Sequence, residues 1–314
     1  MYKIPDVPSS KADIHEIADF TEIECIKKKT VSAREVFSSI DKYDDHYYAG
    51  GVPEDEALEP RLADAINEID RRCLFCGGRY PFTVGSVGHV VKLNPAVDEA
   101  VREVYAFLLF ATRLDMKNHR EQNGIDGALL FEELSEYIGK HYFGERTESF
   151  LFGTASRENN FQNKIISLTK LMGEGRSFES RIDTSPNSNK DDGLDVVVWK
   201  PFSDFYPGKL IGFGQCKTGT HWKDNLTFLR PDSFCKKWFK DQPPADPVRL
   251  FFISESILRN QWYDLSAEGG ILFDRCRIMD YLPVNEIRKD APPFLSQIKA
   301  WNKTVVEIEL KSSP

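Results

Sequence analysis

The pattern of apolar and polar positions changes near residue 122. Before it, apolar residues recur mostly at helical spacing, so we predict a mainly helical domain over residues 1–122. Ser9 or Ser10 is expected to cap a helix that ends at Phe20, and Ser32 with Glu35 forms a capping-box pattern. Amphipathic helices are also expected over 53–72 and 98–116.

From residue 123 to 314, helical and strand patterns alternate. A helix is predicted over 127–139, with Gly139 as its stop signal. Further helices are expected near 232–240 and 257–267. Apolar strands are predicted over residues 196–199, 209–217, 248–253 and 271–273. This alternation predicts a second domain of the α/β (α+β) class, in which helices cover the faces of a mixed sheet.

Composition narrows the functional classes. The 314 residues are 29% charged and 41% hydrophobic, which is ordinary for a globular chain. The longest apolar stretch, 106–111, is far below the roughly 20 residues that span a bilayer, and the N-terminus lacks an apolar signal core. We therefore expect a cytoplasmic protein without a membrane partner. A net charge of −8 argues against a generally basic nucleic-acid coat but leaves room for a local basic surface.

Candidate chemistry lies where two predicted strands begin and end. Asp195 precedes the first strand, and Gln215, Cys216 and Lys217 end the next. Strand alternation directs Gln215 and Lys217 to the same face, and a hairpin could bring Asp195 close to both. Carboxylate and amide oxygens suit Mg²⁺, and a lysine can orient or deprotonate a water. The pattern predicts a divalent-metal phosphodiesterase site; the alternative is a buried hairpin whose terminal charges are solvated.

Asp-Gly-Leu-Asp at 192–195, followed by Gln-Cys-Lys at 215–217, resembles the PD-(D/E)XK nuclease superfamily in its Mrr-like restriction endonuclease form. The resemblance covers about residues 125–314. It implies an αβββαβ restriction-endonuclease-like core and hydrolysis of DNA with Mg²⁺, for which Mn²⁺ can substitute. The products would carry 5′-phosphate and 3′-hydroxyl ends. Bacterial restriction and antiviral defence are typical roles of such chains.

The same resemblance implies particular ligands and roles. Phe131-Glu132 matches a Phe-Glu pair whose glutamate helps to bind metal, and Glu133 is the alternative. Glu132, Asp195 and Gln215 would hold one or two Mg²⁺ ions, assisted by the backbone carbonyl of Cys216. Lys217 would position or activate the attacking water and stabilise the phosphate.

A basic run follows the predicted active strand and suits phosphate contacts. It supplies four candidate nucleic-acid-binding residues: Lys223, Arg230, Lys236 and Lys237. The interleaved aromatic residues Trp222, Phe228, Phe234, Trp238 and Phe239 are expected mainly in a core, with base stacking as the alternative. The polar segment 183–192 is expected to form a loop beside the site.

A possible zinc site lies in the first domain. Cys73 and Cys76 have C-x₂-C spacing and precede two glycines, which is typical of a zinc-knuckle half-site. His89 is the preferred third ligand for a structural Zn²⁺. The other candidates are Cys25, His46 and His119. The alternative is a free, reduced thiol pair, since six cysteines in a cytoplasmic chain do not predict a disulfide framework.

Three functions remain open from the sequence. The preferred one is a Mg²⁺-dependent deoxyribonuclease, whose helical domain binds DNA or docks a partner. The second is a non-catalytic nucleic-acid-binding subunit that works with an ATPase or helicase, and the third is an RNA-directed nuclease. A homodimer is a further expectation, because cutting both strands needs two sites.

Overall fold

The computed structural model describes residues 3–47, 58–85, 89–156, 158, 160–181 and 191–312. Within these ranges, no helix is long and apolar enough to cross a membrane. The elements in chain order are α1 (Ile14–Lys28), β1 (Thr30–Ser32), α2 (Ala33–Tyr47), α3 (Leu58–Phe75), β2 (Phe82–Gly85), β3 (Val90–Leu93), α4 (Glu99–Arg113), β4 (Glu121–Gln122), β5 (Ile125–Asp126), α5 (Gly127–Phe143), β6 (Glu148–Leu151), α6 (Phe161–Met172), β7 (Val196–Trp199), β8 (Ile211–Lys217), α7 (Pro231–Trp238), β9 (Val248–Ile253), α8 (Trp262–Gly269), β10 (Ile271–Phe273), α9 (Arg275–Asp280), α10 (Val284–Lys289) and α11 (Phe294–Ser312).

The chain divides into two compact units. The first comprises residues 1–127, 254–256 and 275–314, and the second comprises 128–253 and 257–274. The division near 127 lies close to the predicted boundary. The C-terminal segment, however, was predicted to belong to the second domain. In the structure, residues 275–314 belong to the first unit, because α11 packs on α4. The rings of Phe107 and Trp301 meet edge to face there, with their centroids 5.3 Å apart.

The first helix begins later in the chain than predicted. Asp13, not Ser9 or Ser10, caps α1, since its carboxylate accepts the His15 N–H at 2.8 Å. The helix also continues past Phe20 to Lys28. Ser32 and Glu35 do form the predicted capping box at α2, with the Ser32 N–H donating to Glu35 Oε2 at 2.7 Å and the Glu35 N–H donating to Ser32 Oγ at 3.2 Å. The antiparallel sheet β1-β3-β2 was not predicted.

Buried ion pairs hold the first unit together. Asp19 on α1 contacts Arg72 at 2.7 Å, Arg113 at 2.7 Å and Arg275 at 2.9 Å, and all four side chains are at most 1% exposed. Burial opposes ionisation of Asp19, but the three guanidinium groups outweigh it and hold its pKa well below the usual range. Because Arg275 begins α9, this network ties the C-terminal segment to the first helix.

The second unit contains a mixed sheet, as the sequence predicted, with five strands in the order β10-β9-β8-β7-β6. Strand β6 was not among the predicted strands. Strands β6, β7 and β8 are antiparallel neighbours, whereas β8, β9 and β10 run parallel. Helices α6 and α7 pack against one face of β7 and β8 through a large aromatic cluster. All four residues of β7 are buried, which explains its continuous apolar run.

Helix α5 covers the opposite face of the sheet, and it is longer than predicted. It passes through Gly139 and ends at Phe143, so Gly139 is not a stop signal. A Cβ built on Gly139 would lie 3.2 Å from Val198 Cγ1. This glycine therefore permits close packing of the helix on the sheet.

Candidate active site

The β7–β8 hairpin holds Asp195 beside the Gln-Cys-Lys segment. Val196 pairs with Gly214 in the antiparallel ladder. The Asp195 N–H donates to the Gly214 carbonyl at 2.9 Å, and the Cys216 N–H donates to Asp195 Oδ2 at 2.7 Å. The hairpin thereby fixes the Asp195 carboxylate at the end of β8.

Helix α5 brings Glu132 to the same place. Glu132 Oε2 accepts the Ala155 N–H at 2.8 Å, and Oε1 accepts the Thr154 N–H at 3.2 Å. A Cβ built on Gly153 would lie 2.6 Å from Glu132 Oε2 and 2.9 Å from Asp195 Oδ1. Both carboxylates therefore border the Gly153 backbone, and the absence of a side chain at Gly153 leaves room for them.

Burial disfavours the ionised form of both carboxylates. It raises the pKa of Glu132 to about 7, although two backbone N–H bonds favour the charged form. Burial also raises the pKa of Asp195 well above its usual range, and the nearby charge of Glu132 adds to the effect. A bound cation would stabilise two such anions. The alternative ligand Glu133 is half-buried, and its pKa is raised by burial and by the charge of Glu136.

Gln215, next to Cys216 on β8, has an unsatisfied side-chain amide. Its side chain is 0% exposed, and neither the amide oxygen nor the amide nitrogen has a hydrogen-bond partner in the described part of the chain. A Cβ built on Gly193 would lie 3.6 Å from Gln215 Nε2. Burying a polar group without a hydrogen-bond partner costs about 1–3 kcal/mol. A bound ion, water or ligand at the Gln215 amide would remove this cost.

Lys217 and Cys216 complete the end of β8. Lys217 is partly exposed, and its charge lowers the pKa of Asp195, opposing the effect of burial. Cys216 contacts Asp195 through its N–H. The role of the Cys216 carbonyl as a metal ligand stays a prediction.

One charged residue of the site, Lys164, was not predicted from the sequence. Lys164 on α6 is 8% exposed, and its Nζ donates to the Gly153 carbonyl at 2.8 Å. Burial lowers the pKa of Lys164, while Asp191 and the two buried carboxylates favour its charged form. Asp191 also raises the pKa of both carboxylates. Lys164 shares the buried face of α6 with Phe161 and Ile165, and a lysine on an apolar face was the available signal.

The predicted zinc ligands lie in different surroundings, and zinc binding stays a prediction. Helix α3 continues through Cys73, so Cys73 is exposed on the helix while Cys76 is buried beyond its end. His89 and His119 are exposed, whereas Cys25 is buried. Among the described residues, no three His, Cys, Asp or Glu side chains form a group that could hold a metal ion. The candidate site at Gly153 relies on two carboxylates, with amide and backbone oxygens as its further donors.

Parts of three predictions fall outside the described residues. They are the side chain of His46, residues 53–57 of the predicted helix over 53–72, and residues 183–190 of the predicted loop over 183–192.

The predicted nucleic-acid-binding residues differ in their surroundings. Lys223 and Arg230 are exposed, and the Lys223 Nζ donates to Gln261 Oε1 at 2.9 Å. Lys236 and Lys237 have acidic neighbours: Lys236 lies 3.4 Å from Asp232, and Lys237 lies 3.3 Å from Asp192. Of the interleaved aromatic residues, four are buried as expected, namely Trp222, Phe234, Trp238 and Phe239. Phe228 is the exception, with 60% of its surface exposed.

No protein-family model, curated protein or solved structure matches this chain.

Proposed function

We propose that this chain is a metal-dependent nuclease that hydrolyses phosphodiester bonds in DNA. The observation that supports this proposal best is the buried, unpartnered amide of Gln215 at the end of β8, where the Cys216 N–H binds Asp195. Burial raises the pKa values of Asp195 and of its neighbour Glu132. These oxygen donors fit Mg²⁺ or Mn²⁺, and Lys217 follows two residues further along the strand.

Each residue then has a distinct role. Glu132, Asp195 and the Gln215 oxygen hold the cation, assisted by the Cys216 carbonyl. The cation supplies Lewis acidity and neutralises charge on the phosphate. Lys217 orients the attacking water and stabilises the negative charge that develops on the phosphate. Lys164 holds the Gly153 carbonyl, and so supports the turn whose N–H groups bind Glu132.

The order of elements supports the resemblance to PD-(D/E)XK nucleases. Helix α5, strands β6, β7 and β8, helix α7 and strand β9 follow the αβββαβ order, with α6 inserted between the first two strands. By the same resemblance, we propose a role in restriction or antiviral defence. Two copies of the chain would cut the two strands of a duplex.

A plasmid assay tests the proposal. Wild-type protein, Lys217→Ala and the matched control Lys140→Ala are incubated with supercoiled plasmid and Mg²⁺ or Mn²⁺; Lys140 is exposed on α5. We expect wild type and Lys140→Ala to nick or linearise the plasmid, and Lys217→Ala to leave it intact. Cleavage by Lys217→Ala at the wild-type rate would contradict the assignment.

The same preparation separates the alternatives. Cleavage of a matched RNA without cleavage of DNA would identify an RNA-directed nuclease. DNA binding without cleavage of either substrate would indicate a binding subunit that works with an ATPase or helicase.

A further inference from the structure

An exposed aromatic ring projects from an anchored turn in the second unit. Phe228 is 60% exposed, whereas Leu226 and Leu229 are 3% and 1% exposed. The Phe228 N–H donates to the Asn225 carbonyl at 3.0 Å. Arg249 also holds the turn, since its guanidinium donates to the Leu226 carbonyl. The backbone is thus held in place while the ring faces outwards.

The ring packs against the backbone that leads into the candidate active site. A Cβ built on Gly193 would lie 2.5 Å from Phe228 Cδ1 and 3.6 Å from Gln215 Nε2. Gly193 has a φ of 81°, which favours glycine, so a side chain here would both strain the backbone and displace the ring. Phe228 and the unpartnered amide therefore border the same point, two residues before Asp195.

Two exposed cationic residues lie near Phe228 in the sequence, among the exposed acidic residues Asp224 and Asp232. Lys223 and Arg230 lie on either side of Phe228 in the sequence, and both are exposed. Cationic side chains suit the phosphates of a nucleic-acid strand, and an exposed aromatic face suits its bases. A polypeptide or lipid partner would explain the ring alone but not its contact with Gly193, two residues before Asp195.

We infer that Phe228 is a stacking platform for an unpaired base of the DNA strand, next to the phosphate that is cleaved. The inference rests on the proposed function, because that function locates the reacting phosphate at Glu132 and Asp195. In a duplex, both faces of an internal base are covered by neighbouring bases, so the ring engages only a base that has left the stack. The substrate class is therefore single-stranded or locally unpaired DNA.

Binding measurements test the inference without requiring cleavage. The affinity of a labelled single-stranded DNA oligonucleotide is measured by fluorescence anisotropy, with Ca²⁺ in place of Mg²⁺. Loss of one stacked base weakens binding by roughly tenfold, and we expect this loss for Phe228→Ala. Phe228→Tyr and Phe228→Trp should bind as the wild type does. The matched control is Phe205→Ala, because Phe205 is 83% exposed in the loop at the other end of the β7–β8 hairpin.

Two comparisons make the test specific. Phe228→Ala should bind the corresponding duplex as the wild type does, and abasic sugars in the single strand should abolish the difference between the two proteins. An unchanged affinity of Phe228→Ala for single-stranded DNA would overturn the inference. An equal loss in Phe205→Ala would overturn it as well, because the effect would then belong to any exposed ring.

Failure of this inference is distinguishable from failure of the proposed function. Plasmid cleavage that depends on Lys217, combined with normal binding by Phe228→Ala, rejects the stacking platform and retains the nuclease. A binding loss confined to Phe228→Ala, without cleavage by the wild type, rejects the nuclease and with it the position beside a cleaved phosphate, but retains base stacking on Phe228. Far-UV circular dichroism and thermal melting of each variant show whether it is folded.

Discussion

Glu132→Gln tests whether the candidate site holds unfavourable negative charge when no metal is bound. Glu132 is 7% exposed and close to Asp195, and burial raises its pKa from 4.5 to about 7. The folded protein therefore binds this proton more tightly than the unfolded chain does. As a result, the free energy of unfolding is highest below about pH 4.5 and falls as the pH rises towards about 7.

The size of the effect follows from the pKa. A rise from 4.5 to about 7 lowers the free energy of unfolding by about 3 kcal/mol above pH 7. Glutamine cannot ionise, so the variant escapes this loss. Glutamine offers a single acceptor oxygen to the two N–H donors of Thr154 and Ala155, which costs about 1 kcal/mol. We expect the metal-free variant to be more stable than wild type by about 2 kcal/mol near pH 8, and less stable by about 1 kcal/mol near pH 4.5.

Urea denaturation in EDTA at acidic, neutral and basic pH measures this difference. The matched control is Glu148→Gln, because Glu148 is an exposed carboxylate on β6 of the same sheet. With Mg²⁺ present, the wild type should gain stability and Glu132→Gln should not. A Glu132→Gln variant that is destabilised to the same extent at every pH would refute the reasoning, because Glu132 would then behave as an ordinary hydrogen-bonded carboxylate.

Three further predictions concern other parts of the chain. Gly153→Ala should weaken Mn²⁺ binding by about tenfold or more without unfolding the protein, because the added Cβ would displace both carboxylates. Calorimetric titration measures the affinity, and an unchanged affinity would contradict the prediction. Asp19→Ala should lower the free energy of unfolding by about 3–5 kcal/mol, because it leaves three buried arginines without their shared anion. A loss below about 1 kcal/mol in urea denaturation would argue against this prediction. A fragment of residues 1–122 should fail to fold, because it lacks Arg275 and α11; a cooperative thermal transition by circular dichroism would show otherwise.

Local sequence patterns predicted the structure correctly where residues close together in the chain determine it. The Ser32–Glu35 capping box depends on residues three positions apart. Strands over 248–253 and 271–273 occur where they were predicted, because short apolar runs bounded by turns are typical of buried strands. The close approach of Asp195 to β8 also follows from one hairpin, in which the sequence separation is small.

Predictions failed where distant residues decide the structure. Helix α1 buries charged residues along its length, so its apolar pattern is weak and its extent was underestimated. The buried charges have partners on α3, α4 and α9, which no local pattern can reveal. The spacing of Cys73 and Cys76 likewise did not reveal that α3 continues through Cys73, which is exposed, while Cys76 is buried beyond the end of the helix; their binding of zinc stays a prediction.

The sequence by itself determined the alternation of helices and strands, the mixed sheet and the pairing of Asp195 with the end of β8, because periodicity and hairpin register act over short distances. Only the tertiary structure decided which glutamate meets Asp195, that Lys164 supports the turn at Gly153, and that the last helix returns to the first unit. These contacts join residues far apart in the chain, and they form because burial requires a partner for each charge and polar atom that is removed from water.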